Sequence, residues 1–234
     1  MTYAVPVPTP PSLPISGSDT LFPVRRVFCV GRNYGDHARE MGADPNREPP
    51  FFFLKPADAV FAPEGARGTS PTVPYPPQTA DLHHEVELVV ALGQGGTRID
   101  PADALGTVWG YGVGVDLTRR DLQAEAKSLR RPWDLAKGFD LSGPCSALRP
   151  VSEVGHPDRG RIWLDVDGKL RQEGDLGDQI WTVAEIITHL SRSITLCPGD
   201  LLFTGTPAGV GALARGSSVT AGIDGVAELS FTIA

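Results

Sequence analysis

The chain has 234 residues, enough for one sizeable core, and its 21 Lys plus Arg against 28 Asp plus Glu give a net charge of −7, which argues against a nucleic-acid partner. Apolar residues make up 41% and charged residues 21%, an ordinary globular balance, and uninterrupted apolar runs such as 88–92 fall far short of the roughly 20 residues a spanning helix needs. The 27 Gly and 22 Pro point to many turns and short elements, hence a strand-rich fold rather than a helical bundle.

Residues 1–24 carry Pro6, Pro8, Pro10, Pro11 and Pro14 where a signal peptide would carry a basic and then a continuous apolar region. They read as an extended arm, either disordered or laid across the body or a partner subunit. Residues 24–31 read as a buried strand, after which Asn33 is placed to cap a short helix reaching Met41, with Gly42 as its stop. His37 and Glu40 share a face of that helix. A proline-rich loop precedes a strand at 51–54, closed by Lys55-Pro56, and 62–79 form irregular connection.

Residues 82–92 read as one strand with Glu85 and Glu87 on the same face. Another strand at 108–115 ends in Asp116, and Thr118-Arg119-Arg120-Asp121 resembles the capping box of a following helix. Segments 162–166 and 169–172 form a hairpin around Asp167-Gly168. Thr182 to Glu185 opens the clearest helix, whose Val183, Ile186, Ile187, Leu190 and Ile194 make one buried face. Strands at 200–204 and 226–233 are separated by glycine turns, and no internal repeat is present.

Cys29, Cys145 and Cys197 are an odd number, far apart and without a C-x-x-C spacing, which suggests reduced thiols of a cytoplasmic protein rather than disulfides or structural zinc. Two carboxylates at i and i+2, running into the apolar 88–90, would repel and lose hydration unless a divalent cation joined them; with Asp116 they offer oxygen ligands that suit Mg²⁺ or Mn²⁺. An exposed acidic edge strand is the alternative. The His37–Glu40 pair has the makings of a water-activating base or of a solvated helical pair. Lys55, Arg120 and Lys137 are each able to bind a carboxylate or oxyanion, though surface charge explains each equally when taken singly. His83 and His84 lie beside the acids as support or surface groups. Residues 204–211 fit neither common nucleotide-binding glycine pattern, but a tight loop there could present backbone N–H groups and the Thr206 hydroxyl to a small anion.

Taken in order, Gly31-Arg32-Asn33-Tyr34 with His37 and Glu40, Phe53-Leu54-Lys55-Pro56, Leu82-His83-His84-Glu85-Val86-Glu87-Leu88, Gly114-Val115-Asp116-Leu117-Thr118, Ala136-Lys137-Gly138-Phe139-Asp140 and Leu202-Phe203-Thr204-Gly205-Thr206-Pro207 resemble the fumarylacetoacetate hydrolase superfamily, and in particular its short acylpyruvase branch with the fumarylpyruvate hydrolases. The resemblance spans roughly residues 25–233. It implies an α+β, mainly β fold, a mixed β-sandwich roll with a few short helices, as a single catalytic domain over 25–234 behind the arm at 1–24. It implies Glu85, Glu87 and Asp116 as ligands of a divalent metal, Mg²⁺ before Mn²⁺. His37 and Glu40 become a catalytic dyad on a lid, and Lys137 the stabiliser of oxyanion or enolate charge. Arg32, Asn33, Lys55, Arg120, Gln123 and Thr206 become substrate contacts, with Arg32, Arg47, Arg130 and Arg131 as candidates for a second carboxylate. Gly138 departs from the Ser that many relatives carry there. The implied protein is a cytoplasmic homodimer that hydrolyses a C–C bond of a small acylpyruvate, without nucleic acid or membrane. Oxaloacetate decarboxylation, isomerase or hydratase chemistry, and silent metal binding are the competing readings.

Overall fold

The computed structural model describes residues 2–40, 48–63 and 71–234, with the backbone alone at 38–40. The chain runs β1 (Ser12–Pro14), β2 (Leu21–Pro23), β3 (Arg26–Gly31), α1 (Gly35–Glu40), β4 (Phe51–Lys55), β5 (Val60–Phe61), β6 (Thr72–Val73), β7 (Leu82–His84) and β8 (Val86–Leu92). It continues through α2 (Pro101–Ala104), β9 (Val108–Val115), β10 (Thr118–Arg119), α3 (Arg120–Ser128), α4 (Asp134–Lys137), β11 (Gly143–Pro144), β12 (Arg149–Pro150) and α5 (Val151–Val154). The last third holds β13 (Arg161–Val166), β14 (Lys169–Asp175), α6 (Val183–Ser193), β15 (Asp200–Phe203), β16 (Gly211–Leu213), β17 (Ser218–Ile223) and β18 (Ala227–Ile233). This is the mainly-β α+β class expected.

Two mixed sheets carry the body. One has the order β12-β9-β8-β15-β3-β4, the other β14-β13-β17-β18-β6, and a small sheet β10-β7-β16 joins them. In the six-stranded sheet only β15 and β3 run parallel. Period-two alternation divides its side chains between two cores. Leu88, Val90 and Leu92 with Phe28, Val30 and Leu202 pack towards Ile162, Leu164, Val219 and Phe231 of the five-stranded sheet. Val89 and Ala91 with Val27, Cys29, Leu201 and Phe203 face the other way, onto Leu13, Phe22 and Val24. All three thiols are free, and Cys29 and Cys145 are buried.

The proline-rich start is therefore only partly an arm. Residues from Pro11 onward form a hairpin, β1 against β2, tied to the body by the Leu148 N–H to Pro14 C=O bond of 2.8 Å and the Ser16 N–H to Leu148 C=O bond of 2.9 Å. Leu13 is fully buried and closes the second core.

Several local expectations change. The span 82–92 is two strands, not one: β7 belongs to the small sheet and β8 to the large one, and Glu85 lies between them. Thr118 does not cap α3; its N-cap is Arg119 with no side-chain bond, because the Asp121 carboxylate instead accepts from the Thr79 hydroxyl at 2.6 Å and the Ala80 N–H at 2.9 Å. The Asp167-Gly168 turn has φ of 54° and 70°, the paired positive angles the hairpin needs. Thr182 and Glu185 form the expected capping box of α6, which ends at Ser193, one residue short of Ile194. The expected end of α1 at Met41 and Gly42 lies outside the described residues.

Asn33 is not a helix cap, and its side chain is taken up inside the protein. Its amide nitrogen donates to the carbonyls of Trp181 at 2.9 Å and Thr204 at 2.7 Å, and its oxygen accepts from the Trp181 N–H at 2.7 Å, so both donors are used and the residue is fully buried. It pins the end of β3 to the segment before α6. Asn33→Ala removes three bonds and strands a buried N–H. It is expected to lower stability by about 2–4 kcal/mol, a fall in Tm of roughly 5–15 °C by thermal denaturation for a domain of this size. An unchanged Tm would show that the clasp is dispensable.

Candidate metal centre and active site

The acidic cluster is built where the chain changes sheets. Glu85, at that switch, accepts the Asp116 N–H through its backbone carbonyl at 2.8 Å, which sets two acidic residues side by side. Two residues on, Glu87 pairs with Gly114 of β9, where an added Cβ would press to within 2.7 Å of Val89 and 2.8 Å of Phe203. A glycine there lets β8 and β9 close under the carboxylates. Ligand oxygens of Glu85, Glu87 and Asp116 lie within 4.8 Å of one another, and all three residues are buried.

Cations surround the cluster. The Lys137 ammonium, from the end of α4, sits 2.8 Å from Glu85 Oε2 and 2.7 Å from Asp116 Oδ2. Lys55 approaches Asp116 Oδ1 from behind at 2.8 Å and donates to the carbonyls of Leu117 and Lys137. Arg120, the first residue of α3, pairs with Glu85 Oε1 and donates to Gln123 Oε1 at 2.7 Å. Glu87 differs. It accepts the Gly205 N–H at 2.7 Å but joins no ion pair among the described residues. That N–H is available because Gly205 adopts φ 96° within reach of Asn33, whose Cβ would lie 2.7 Å from an added side chain.

The charges follow from this arrangement. Burial pushes the Glu85 carboxyl up, but Lys137, Arg120 and His37 outweigh it and hold it well below the usual carboxylate range. Burial also works against the Lys137 ammonium, and Asp116 and Glu85 more than restore it. Burial, then Asp116 and Glu85, drive Glu87 well above the normal carboxylate range. A divalent cation held by these three carboxylates would keep Glu87 ionised, and the all-oxygen donor set suits a hard ion.

The cluster forms one wall of a cleft with about 410 Å³ of empty space, part of it open to solvent. His37 of α1 reaches the cleft and is buried; the side chain of Glu40 lies outside the described residues. Arg120, Gln123, Thr206, Lys137 and Arg32 also line it. Asn33 and Lys55 do not: Lys55 is committed to Asp116 and two carbonyls, a supporting rather than a contacting position. Arg131 lines an adjoining groove that shares Phe51, Phe53, Trp133 and Lys137 with the cleft, Arg130 is exposed and does not line the cleft, and Arg47 lies outside the described residues.

Two contributors escaped the sequence reading. Lys127 lines the cleft, and its spacing from Arg120 and Gln123, seven and four residues, was a helix-face signal available in the sequence. Gln172, fully buried on β14, had no such signal. Its Oε1 accepts the Val86 N–H at 3.1 Å and meets His84 Nδ1 at 2.8 Å, which fixes the amide orientation. Its Nε2 then donates to Thr206 Oγ1 at 2.7 Å and to the Pro207 carbonyl at 2.9 Å. With its oxygen so occupied, the Thr206 hydroxyl keeps its own proton to donate elsewhere.

The model of the fumarylacetoacetate (FAA) hydrolase C-terminal family matches residues 26–234. The chain belongs to this family. A crystal structure of a fumarylpyruvate hydrolase from Pseudomonas aeruginosa, in complex with Mn²⁺ and pyruvate, is 53% identical over 99% of each chain with a TM-score of 0.95. A Burkholderia cenocepacia protein assigned as a candidate fumarylpyruvate hydrolase is 60% identical, with a TM-score of 0.91 over 100% of this chain and 98% of that one. The mitochondrial oxaloacetate tautomerase FAHD1 of Rattus norvegicus is 45% identical over 209 residues, 89% of this chain and 91% of the relative. The protein is an enzyme of this superfamily, and the buried triad together with the Mn²⁺-bound relative supports a divalent-metal centre. None of the helices among the described residues is long and apolar enough to cross a membrane.

Since a raised Glu87 carboxyl holds its proton to higher pH, an incoming cation must displace that proton, and binding strengthens as pH rises. We expect the Kd for Mn²⁺ to tighten by about tenfold per pH unit until Glu87 is ionised, with close to one proton released. Titration calorimetry in two buffers of different ionisation enthalpy measures both; a pH-independent Kd would contradict the assignment.

Proposed function

We propose that the protein hydrolyses the C–C bond of an acylpyruvate, with fumarylpyruvate as substrate and fumarate and pyruvate as products. The observation that carries this reading is the buried Glu85–Glu87–Asp116 cluster, bridged by Lys137, in one cleft with His37, Arg120, Gln123 and Thr206. The fumarylpyruvate hydrolase at 53% identity, and the candidate fumarylpyruvate hydrolase at 60%, support the substrate.

A divalent cation at the triad, Mg²⁺ or Mn²⁺, supplies Lewis-acid polarisation of the substrate's 2-keto oxygen. His37, with Glu40 three residues on in the same helix as the other member of the proposed dyad, takes a proton from water, whose oxygen attacks the carbonyl carbon at position 4. The C3–C4 bond then breaks; its electron pair stays with the pyruvyl fragment as an enolate, and the acyl fragment leaves as the carboxylic acid. Lys137 places a permanent positive charge beside the forming enolate, and a proton returned to carbon 3 gives pyruvate. Arg120 and Gln123 fix the substrate along α3, and the Thr206 hydroxyl donates to its carboxylate. The working unit in this proposal is a homodimer.

The second reading is oxaloacetate tautomerisation, favoured by curated relatives of that name at 40–45% identity. It draws on the same enolate stabilisation, and so does decarboxylation, but neither needs an attacking water.

Turnover of fumarylpyruvate, acetylpyruvate and oxaloacetate is measured side by side, metal-loaded and chelated. Hydrolysis of fumarylpyruvate that chelation abolishes is the expected result; rapid oxaloacetate tautomerisation without any acylpyruvate hydrolysis overturns the proposal. His37→Ala is expected to lower hydrolysis by about 10²–10⁴-fold while oxaloacetate conversion and metal affinity stay within a few-fold. Equal loss of both activities would show that His37 has no separate role in water activation.

A further inference from the structure

Positive charge in the cleft exceeds what the acidic cluster uses. Lys137, Lys55 and Arg120 are each engaged with Glu85 or Asp116. Arg32 and Lys127 line the same cleft, yet among the described residues neither makes an ion pair or a hydrogen bond to an acid. Their contacts are aromatic: the Arg32 guanidinium lies 5.6 Å from the Phe51 ring centroid and the Lys127 ammonium 5.1 Å from that of Trp133. The two rings meet edge to face at 5.5 Å, so both cations are carried on one aromatic wall. Arg32 is held there by a backbone at φ 60°, a conformation L-residues seldom adopt.

The two cations also repel one another. Lys127 is half-buried, and burial followed by Arg120 and Arg32 lowers its affinity for a proton. Two cations on an aromatic wall, facing the same space and without a carboxylate partner among the described residues, form a site for an anion that arrives with the ligand. Its position along the cleft follows from α3: Arg120 and Lys127 are two turns apart on one face, about 10 Å along the axis. One end of that face contacts the acidic cluster and the other carries Lys127, which has no acidic partner among the described residues.

We propose that Arg32 and Lys127 receive the distal carboxylate of a dicarboxylic acyl group, and so select a dianionic acylpyruvate over one with a short neutral acyl group. The proposal rests on the hydrolase reading for its substrate and goes beyond it in naming the residues that choose the acyl end. The Phe51 and Trp133 rings offer apolar surface to the chain that lies between the two ends.

The test uses Lys127→Met, which keeps the alkyl stem over Trp133, with Lys127→Arg as the rescue. Two readouts are taken: the ratio of kcat/KM for fumarylpyruvate to that for acetylpyruvate, and the Kd of fumarate on the metal-loaded protein by calorimetry. The expected result is a fall of at least tenfold in the ratio and a similar weakening of fumarate binding in Lys127→Met, both largely restored in Lys127→Arg. Equal loss of both acylpyruvates, or fumarate binding unchanged from wild type, overturns the proposal. If the wild type hydrolyses neither acylpyruvate, the hydrolase reading falls, and fumarate binding alone decides the anion site: lost in Lys127→Met it stands, retained it fails.

Discussion

Three carboxylates gathered in a buried corner set the terms for everything around them. Removing one carboxylate from water costs several kcal/mol unless a partner is supplied, and Glu85, Glu87 and Asp116 lie within 4.8 Å of one another, where each also penalises the next. The fold answers with fixed charge. Lys137 bridges Glu85 and Asp116, Lys55 stands behind Asp116 and Arg120 holds the outer oxygen of Glu85, each drawn from a different element. Among the described residues, Glu87 alone of the three receives only a neutral N–H, from Gly205, so the demand for a further cation falls at one identifiable carboxylate.

That demand explains features that would be awkward in an ordinary sandwich. The chain interrupts its pairing at Glu85 and changes sheets, which frees the residue from the ladder and turns it towards Arg120. Gly114 gives up a side chain where Val89 and Phe203 close beneath Glu87. The Gln172 amide, from the opposite sheet, ties the Val86 backbone to the Thr206 hydroxyl and so couples the position of β8 to the loop after β15. Buried polar groups that satisfy one another in this way rigidify a site, because no partner can move without leaving another unpaired.

The sequence carried these features unequally. Short β-prone runs revealed β8, β9 and β15 because both faces of the large sheet are buried, and the capping box at Thr182 revealed α6 because nothing distant competes for that side chain. Distant competition is what misled elsewhere. Asp121 has the spacing of a cap but is claimed by Thr79 and Ala80, and Asn33 has the chemistry of a cap or ligand but is claimed by Trp181 and Thr204. Periodicity also has no means of marking a change of sheet, so 82–92 read as one strand. The acidic triad and Lys137 were legible through their conjunction with the surrounding motifs, whereas Lys127 becomes meaningful only once helix α3 is seen to line the cleft.

The division between sheet and loop bears on how one scaffold accommodates related reactions. Stabilising an enolate requires charge held still, and the triad with Lys137 is anchored on strand ends and a short helix packed against the sheet. Activating water or recognising a particular acyl group requires side chains that reach the substrate's far half, and those come from α1, from Arg32 just beyond β3, and from the exposed length of α3. In the proposed reading, hydrolysis and tautomerisation differ by what these outer segments present rather than by the acidic core. A change of reaction within such a scaffold needs no new metal ligand; it needs a different answer to where water stands and which charge meets the acyl end.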